Sequence, residues 1–179
     1  MAEKISPKDG FEKFQAKYRE NADRAKVKFR SVSALVDGLE VETQIRRFKI
    51  TMDEQEALGG TDKGPNPMEL VLSAYGACQE ITYRLHADLL EIPMDGITVE
   101  VTGDVDLCGF YAVDDAARPG YSGISTEIII DNPASDEDIE RLTEAVHKHC
   151  PVLDIIKNST PITFSVRKKD LSAGAGHAL

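Results

Sequence analysis

Three cysteines, Cys78, Cys108 and Cys150, carry the most reactive chemistry in this sequence. Two of them fall on apolar stripes of helical period. Val71, Tyr75, Cys78, Thr82, Leu85 and Leu89 recur at spacings of four and three, and Ile139, Leu142, Val146 and Cys150 repeat in the same way. Thiols so placed either pack as small core residues or, working as a pair, pass between thiol and disulfide. Periodicity alone leaves both open. Metal ligation is a weaker fit: His147 and His149 beside Cys150 are ~200° apart around a helix and cannot share one ion without distortion. His86 stands alone and reads as a surface or core residue. Glu69, three residues after Asn66, has the position of a capping-box partner. The segment GGTDKG lacks the Gly-Lys-Ser/Thr ending of a phosphate loop, so it reads as a connector.

The elements that must position these residues are legible from pattern. Phe11, Phe14 and Tyr18 predict a short amphipathic helix within 8–23. Val27 to Val36 predicts a strand ending at the hairpin signal Asp37-Gly38. Leu39, Val41, Thr43 and Ile45 then share one parity, while Phe48, Ile50 and Met52 share the other. A one-residue shift predicts a β-bulge at Arg46-Arg47, or else a strand buried on opposite faces along its length. Asn66, Pro67 and Glu69 open a helix that runs to Ile92-Pro93, and its nearly all-apolar stretch from Leu70 to Cys78 predicts burial on more than one side. Ile97, Val99 and Val101 mark a strand, and GISTEIII a second one. Ser135 and Asp138 cap the helix that carries Cys150, where Asp136, Glu137 and Asp138 complement its N-terminus. Pro151 should break that helix, VLDIIK adds a turn or two, and ITFSVRK is expected to close the chain as a strand. Grouped strands with helices between the groups predict an α+β fold. The division expected is an N-terminal helical extension, 1–26, one domain, 27–168, and a flexible Gly-rich tail, 169–179.

The 179 residues suit one domain, and 41% apolar composition suffices for a core built from Ile, Val, Leu and Ala without Trp. The formal charge of −10 repels phosphate backbones and anionic lipid, which argues against nucleic acid and membrane as partners. The charged N-terminus has no apolar signal region, and no run reaches the ~18 residues of a membrane span. Three cysteines do not make a secreted disulfide framework, so a reducing, cytoplasmic setting is expected, in which a cysteine pair cycles rather than staples.

The stretch GPNPMELVLSAYGAC, followed some seventy residues later by HKHCPV, resembles the OsmC/Ohr family of organic hydroperoxide reductases and osmotically induced proteins. The resemblance covers roughly 27–168. It implies an OsmC/Ohr-like α+β fold, with antiparallel sheets around two long central helices in an intertwined homodimer. It also implies that Cys78 is the peroxidatic thiolate and Cys150 its resolving partner. Two family positions differ here. The Glu ten residues before the peroxidatic Cys is Met68, with Glu69 one place on, and the early-strand Arg is absent from Gly38-Leu39-Glu40-Val41, leaving Arg46 and Arg47 as the nearest substitutes.

A thiol attacks peroxide as thiolate, and free cysteine has a pKa near ~8.5. Cys78 lies well inside its helix, where the N-terminal dipole is weak, so a cation must come from elsewhere in the chain; Arg46 or Arg47 could supply it. The expected cycle takes Cys78 to a sulfenic acid, condenses it with Cys150, and regenerates the pair with an external dithiol and no bound cofactor or metal. The alternative is a non-peroxidase paralogue that binds a small apolar ligand, or does other thiol chemistry, at the dimer interface. Cys108, in DLCGF, is assigned no role.

Overall fold

A computed structural model describes residues 5–168. Helix α1 (Pro7–Glu20) is capped by Ser6, whose Oγ accepts from the Asp9 N–H at 3.1 Å. Strands β1 (Ser31–Asp37), β2 (Glu40–Ile45) and β3 (Phe48–Met52) follow as an antiparallel sheet in the order β1-β2-β3. The long helix α2 (Pro67–Leu90) leads to β4 (Gly96–Val105), a short helix α3 (Leu107–Phe110), and β5 (Tyr121–Asp131), which pairs antiparallel with β4 as a second sheet. Helices α4 (Asp136–His149) and α5 (Pro151–Lys157) complete the described elements. The arrangement is the α+β one that the sequence predicts. The expected tail, 169–179, lies outside the described residues.

Helix α2 begins where its residues dictate. The Asn66 side chain accepts from the Glu69 N–H at 2.9 Å, and the Glu69 carboxylate accepts from the Asn66 N–H at 2.8 Å. Pro67 takes the first turn, where its missing N–H is no loss. The helix spans about 36 Å and ends at Glu91, which adopts a left-handed φ of 57° shortly before Pro93. Its buried side meets α4: Tyr83, Ala87, Leu142, Val146 and Cys150 form the core with Ile92 and Met94, while Ile97, Ile128 and Ile130 of the β4–β5 sheet pack against them. Each large apolar side chain buried here contributes about 1.5–3 kcal/mol. Tyr83 Oη donates to Thr143 Oγ1 at 3.2 Å, a polar pin across the same seam.

The Gly-rich connector is more than a tether. Asp53, 2% exposed, accepts from the N–H groups of Glu54 and Thr61 at 2.8 and 2.9 Å and from Thr61 Oγ1 at 2.6 Å. Donation by the Thr61 hydroxyl, helped by the backbone N–H groups and opposed by burial, holds its carboxyl at about 2, below the ordinary 3.8. The loop folds back so tightly that a Cβ on Gly60 would strike the Glu54 carbonyl.

Two sequence expectations give way. Arg46-Arg47 is not a bulge: Ile45 pairs with Phe48, so the two arginines are the tip of a hairpin, with Arg46 at φ 52°. Reversal of the chain produces the same parity change that a bulge would, and the only register shift in this sheet lies between Leu35 and Asp37. ITFSVRK forms no strand within the described residues; Ile162, Phe164 and Val166 are 71%, 87% and 95% exposed, because no strand edge among the described residues pairs with them. Helix α2 packs against β4 on one side and α4 on another, while Val71 and Ile81 face outward.

Replacing Asp53 with Asn should lower the melting temperature at neutral pH, because an NH2 group then confronts donors. The folded pKa lies below the unfolded one, so this stability is present above roughly pH 4 and fades as pH falls toward about 2. Thermal melts of both proteins across that range check it; identical melting at neutral pH would refute the role.

Candidate active site

Cys78 comes from the middle of α2, and Cys150 from the junction at which α4 gives way to α5. Pro151 makes that junction: it cannot continue α4, so Cys150 closes α4 with extended backbone (φ −75°, ψ 111°) and at the same time opens α5. Seating Leu142 and Val146 against α2 then carries the Cys150 thiol to Cys78, and the two Sγ atoms lie 3.4 Å apart with the Cys150 S–H donating. No disulfide bond joins them in this structure.

The two thiols differ in surroundings. Cys150 is 2% exposed, and burial pushes its pKa up, against the backbone N–H groups of Leu153 and Val152 at the start of α5, with Cys78 adding to the rise. It therefore stays a thiol at neutral pH. Cys78 is half-buried and opens onto a cavity of about 460 Å³, a size typical of small-ligand sites. Ile81, Leu85 and Pro151 give it apolar walls, and Thr82 lines it while donating its hydroxyl to the Cys78 carbonyl at 2.7 Å. At one end His86 of α2 stacks on His149 of α4, with ring centroids 5.2 Å apart and planes 15° from parallel. Phe11 of α1 meets the His86 ring edge-on at 6.0 Å, and Gln15 follows one turn later on the same wall. Burial lowers the His86 pKa, and the neighbouring His149 lowers it further.

Of the residues singled out from sequence, the structure brings together Cys78 and Cys150. Arg46 and Arg47 sit at the β2–β3 hairpin tip, with their guanidinium carbons 5.2 and 4.9 Å from the Phe48 ring centroid, and neither lines the cavity. Glu69 is engaged in the capping box, about 13 Å along the α2 axis from Cys78. Cys108 is exposed, and the side chain of Asp106 beside it raises its pKa. Among the described residues no group of three or more His, Cys, Asp or Glu side chains is arranged to hold a metal. Sequence reasoning missed the His86–His149 stack and the contribution of α1. A signal existed for the first: His86 lies eight residues after Cys78, on the same helix face, and His149 adjoins Cys150.

The family model described as OsmC-like protein matches residues 60–165. An uncharacterized protein of Acinetobacter baylyi is 27% identical over 112 residues, 61% of this chain and 71% of its own length. The crystal structure of an OsmC-like protein from Mycoplasma pneumoniae superimposes with a TM-score of 0.65 at 22% identity, covering 75% of this chain and 90% of that one. A Legionella pneumophila structure, described as an organic hydroperoxide resistance protein OsmC and predicted redox protein, gives a TM-score of 0.56 at 20% identity, over 73% of this chain and 90% of that one. At such identities the structures establish a shared fold.

The imidazole stack has a pH signature. With its folded pKa below the unfolded value, His86 favours the folded state fully above about pH 6.5, and that stability is lost as pH falls through the lower folded pKa. The melting temperature should decline between roughly pH 7.5 and 5, and less steeply in His86→Phe, which keeps a ring in place. Parallel declines in the two proteins would show that His86 titrates alike folded and unfolded.

Proposed function

The chain belongs to the OsmC-like protein family, and on that premise we propose that it is a thiol-dependent reductase of small organic hydroperoxides. The observation that carries this reading is the 3.4 Å contact between a thiol that faces a cavity, Cys78, and one that is buried, Cys150. In the cycle, the Cys78 thiolate attacks the outer oxygen of ROOH. The O–O bond breaks, an S–O bond forms, and the alkoxide leaves as ROH with a proton. Cys78 is now a sulfenic acid. The Cys150 sulfur then attacks the Cys78 sulfur, a disulfide forms, and water departs with the Cys150 proton. Closing 3.4 Å to a bond of about 2.05 Å needs only a small movement of α5 against α2. An external dithiol returns two electrons and two protons. The apolar walls of Ile81, Leu85 and Pro151 favour an alkyl group over hydrogen peroxide. Among the described residues, no helix is long and apolar enough to cross a membrane.

The same reading takes a second copy of the chain as partner. Its support is the apolar surface left uncovered: β1 is exposed along its whole length, with Val32, Leu35 and Val36 outward, and Ile162, Phe164 and Val166 alternate along an extended unpaired segment. Such surface suits pairing between copies.

One observation favours the second reading, a paralogue whose cavity binds an apolar ligand without reducing peroxide. Among the described residues no Lys or Arg lines the cavity, and Arg46 and Arg47 are held over Phe48. A cation for Cys78 would then have to come from the partner copy.

The deciding experiment follows hydroperoxide consumption with an excess of dithiol. Wild-type protein should turn over, Cys78→Ser should fall to the uncatalysed rate, and Cys150→Ser, given one equivalent of hydroperoxide without dithiol, should accumulate a Cys78 sulfenic acid that a cyclic diketone traps. Turnover that survives Cys78→Ser would refute the reductase.

A further inference from the structure

Helix α1 precedes the residues matched by the family model, yet it supplies part of the cavity onto which Cys78 opens. Phe11 and Gln15 are four residues apart and so share one face of α1, and both line that cavity. Little holds the helix down. No α1 residue is fully buried. Its attachments to α2 include the edge of the Phe11 ring against His86 at 6.0 Å and, one turn earlier, Lys8 Nζ on Glu91 Oε1 at 2.7 Å in an exposed ion pair. An element with so few buried contacts opens locally far more readily than the core it rests on. Phe14 and Tyr18, which look from spacing like its core stripe, stack on each other with centroids 5.8 Å apart, and Phe14 is 53% exposed.

We propose that α1 is a roof over the Cys78 cavity that opens and closes, and that Phe11 and Gln15 select by shape which molecules reach the thiol. The closed roof leaves a space of about 460 Å³ lined by Ile81, Leu85 and the paired imidazoles. It admits a compact apolar body, with the Gln15 amide able to hydrogen-bond one polar end, and turns away bulky or branched molecules. The inference deepens the reductase reading by naming what limits its substrates. The roof itself is testable without any hydroperoxide.

The test measures alkylation of Cys78 in the full-length reduced protein, resolved from Cys108 by peptide mapping, with iodoacetamide as the small reagent and N-(1-pyrenyl)maleimide as the bulky one. Phe11→Ala should speed the bulky reagent about tenfold while changing the small one less than about threefold, since only the former needs the open state. Phe14→Ala should alter neither. Lys8→Glu, which sets two carboxylates against each other, should shift the ratio in the same direction as Phe11→Ala, and Lys8→Glu combined with Glu91→Lys should restore it; this pair decides if Phe11→Ala does not fold. A bulky-to-small ratio that is the same in wild type, Phe11→Ala and Lys8→Glu would overturn the roof. Rates with a small and a bulky hydroperoxide should follow the same order. If alkylation responds and no hydroperoxide reacts with any variant, the roof stands and the reductase reading falls.

Discussion

The seating of Leu142 and Val146 of α4 against Tyr83 and Ala87 of α2 is the contact on which the site depends. Cys78 and Cys150 are 72 residues apart in sequence, and nothing local brings them together. Closing so long a loop is opposed by chain entropy, so the apolar seam must supply the free energy that holds the sulfurs in contact. Pro151 adds the geometric half. By ending α4 at Cys150 it turns that residue from one more member of a helical stripe into a pivot between two helices. The thiol can then reach Cys78 while its backbone stays anchored by the Cys150 N–H on the Val146 carbonyl at 2.8 Å.

The chemistry follows from an asymmetry between two otherwise identical side chains. The burial that makes Cys150 a good core residue also keeps it protonated, so it can donate toward Cys78 and wait for an electrophilic sulfur. Cys78 has the opposite setting, with an opening, apolar walls and a nearby pair of imidazoles. Loss of water from such a space strengthens whatever polar contacts a ligand makes inside it. The seam and the cavity thus divide one task, since the seam fixes the distance between the sulfurs and the cavity controls what approaches one of them.

Much of this was legible in the residues. Asn66, Pro67 and Glu69 located the start of α2, Pro151 located its partner's break, and the helical period put Cys78 and Cys150 on faces that meet. These features are local, so a linear reading recovers them. What failed was non-local. The parity change at Arg46-Arg47 fits a bulge and a two-residue hairpin equally well until the pairing of Ile45 with Phe48 is seen. The alternation of Ile162, Phe164 and Val166 announces a strand, but a strand needs an edge, and the pattern does not say on which copy of the chain that edge lies. Phe11 showed that α1 had an apolar face, while what that face would cover depended on where α2 ran. The spacing of His86 from Cys78 and the adjacency of His149 to Cys150 hinted at a meeting of imidazoles, but the contact exists only once α4 is seated on α2.

The most direct test of the central claim is the mass of the reduced protein after one equivalent of an alkyl hydroperoxide, followed by peptide mapping. The account requires rapid loss of two hydrogens, localised to a bridge between Cys78 and Cys150, with Cys108 still free. Thiols that stay reduced under that treatment, or a bridge formed elsewhere, would contradict it.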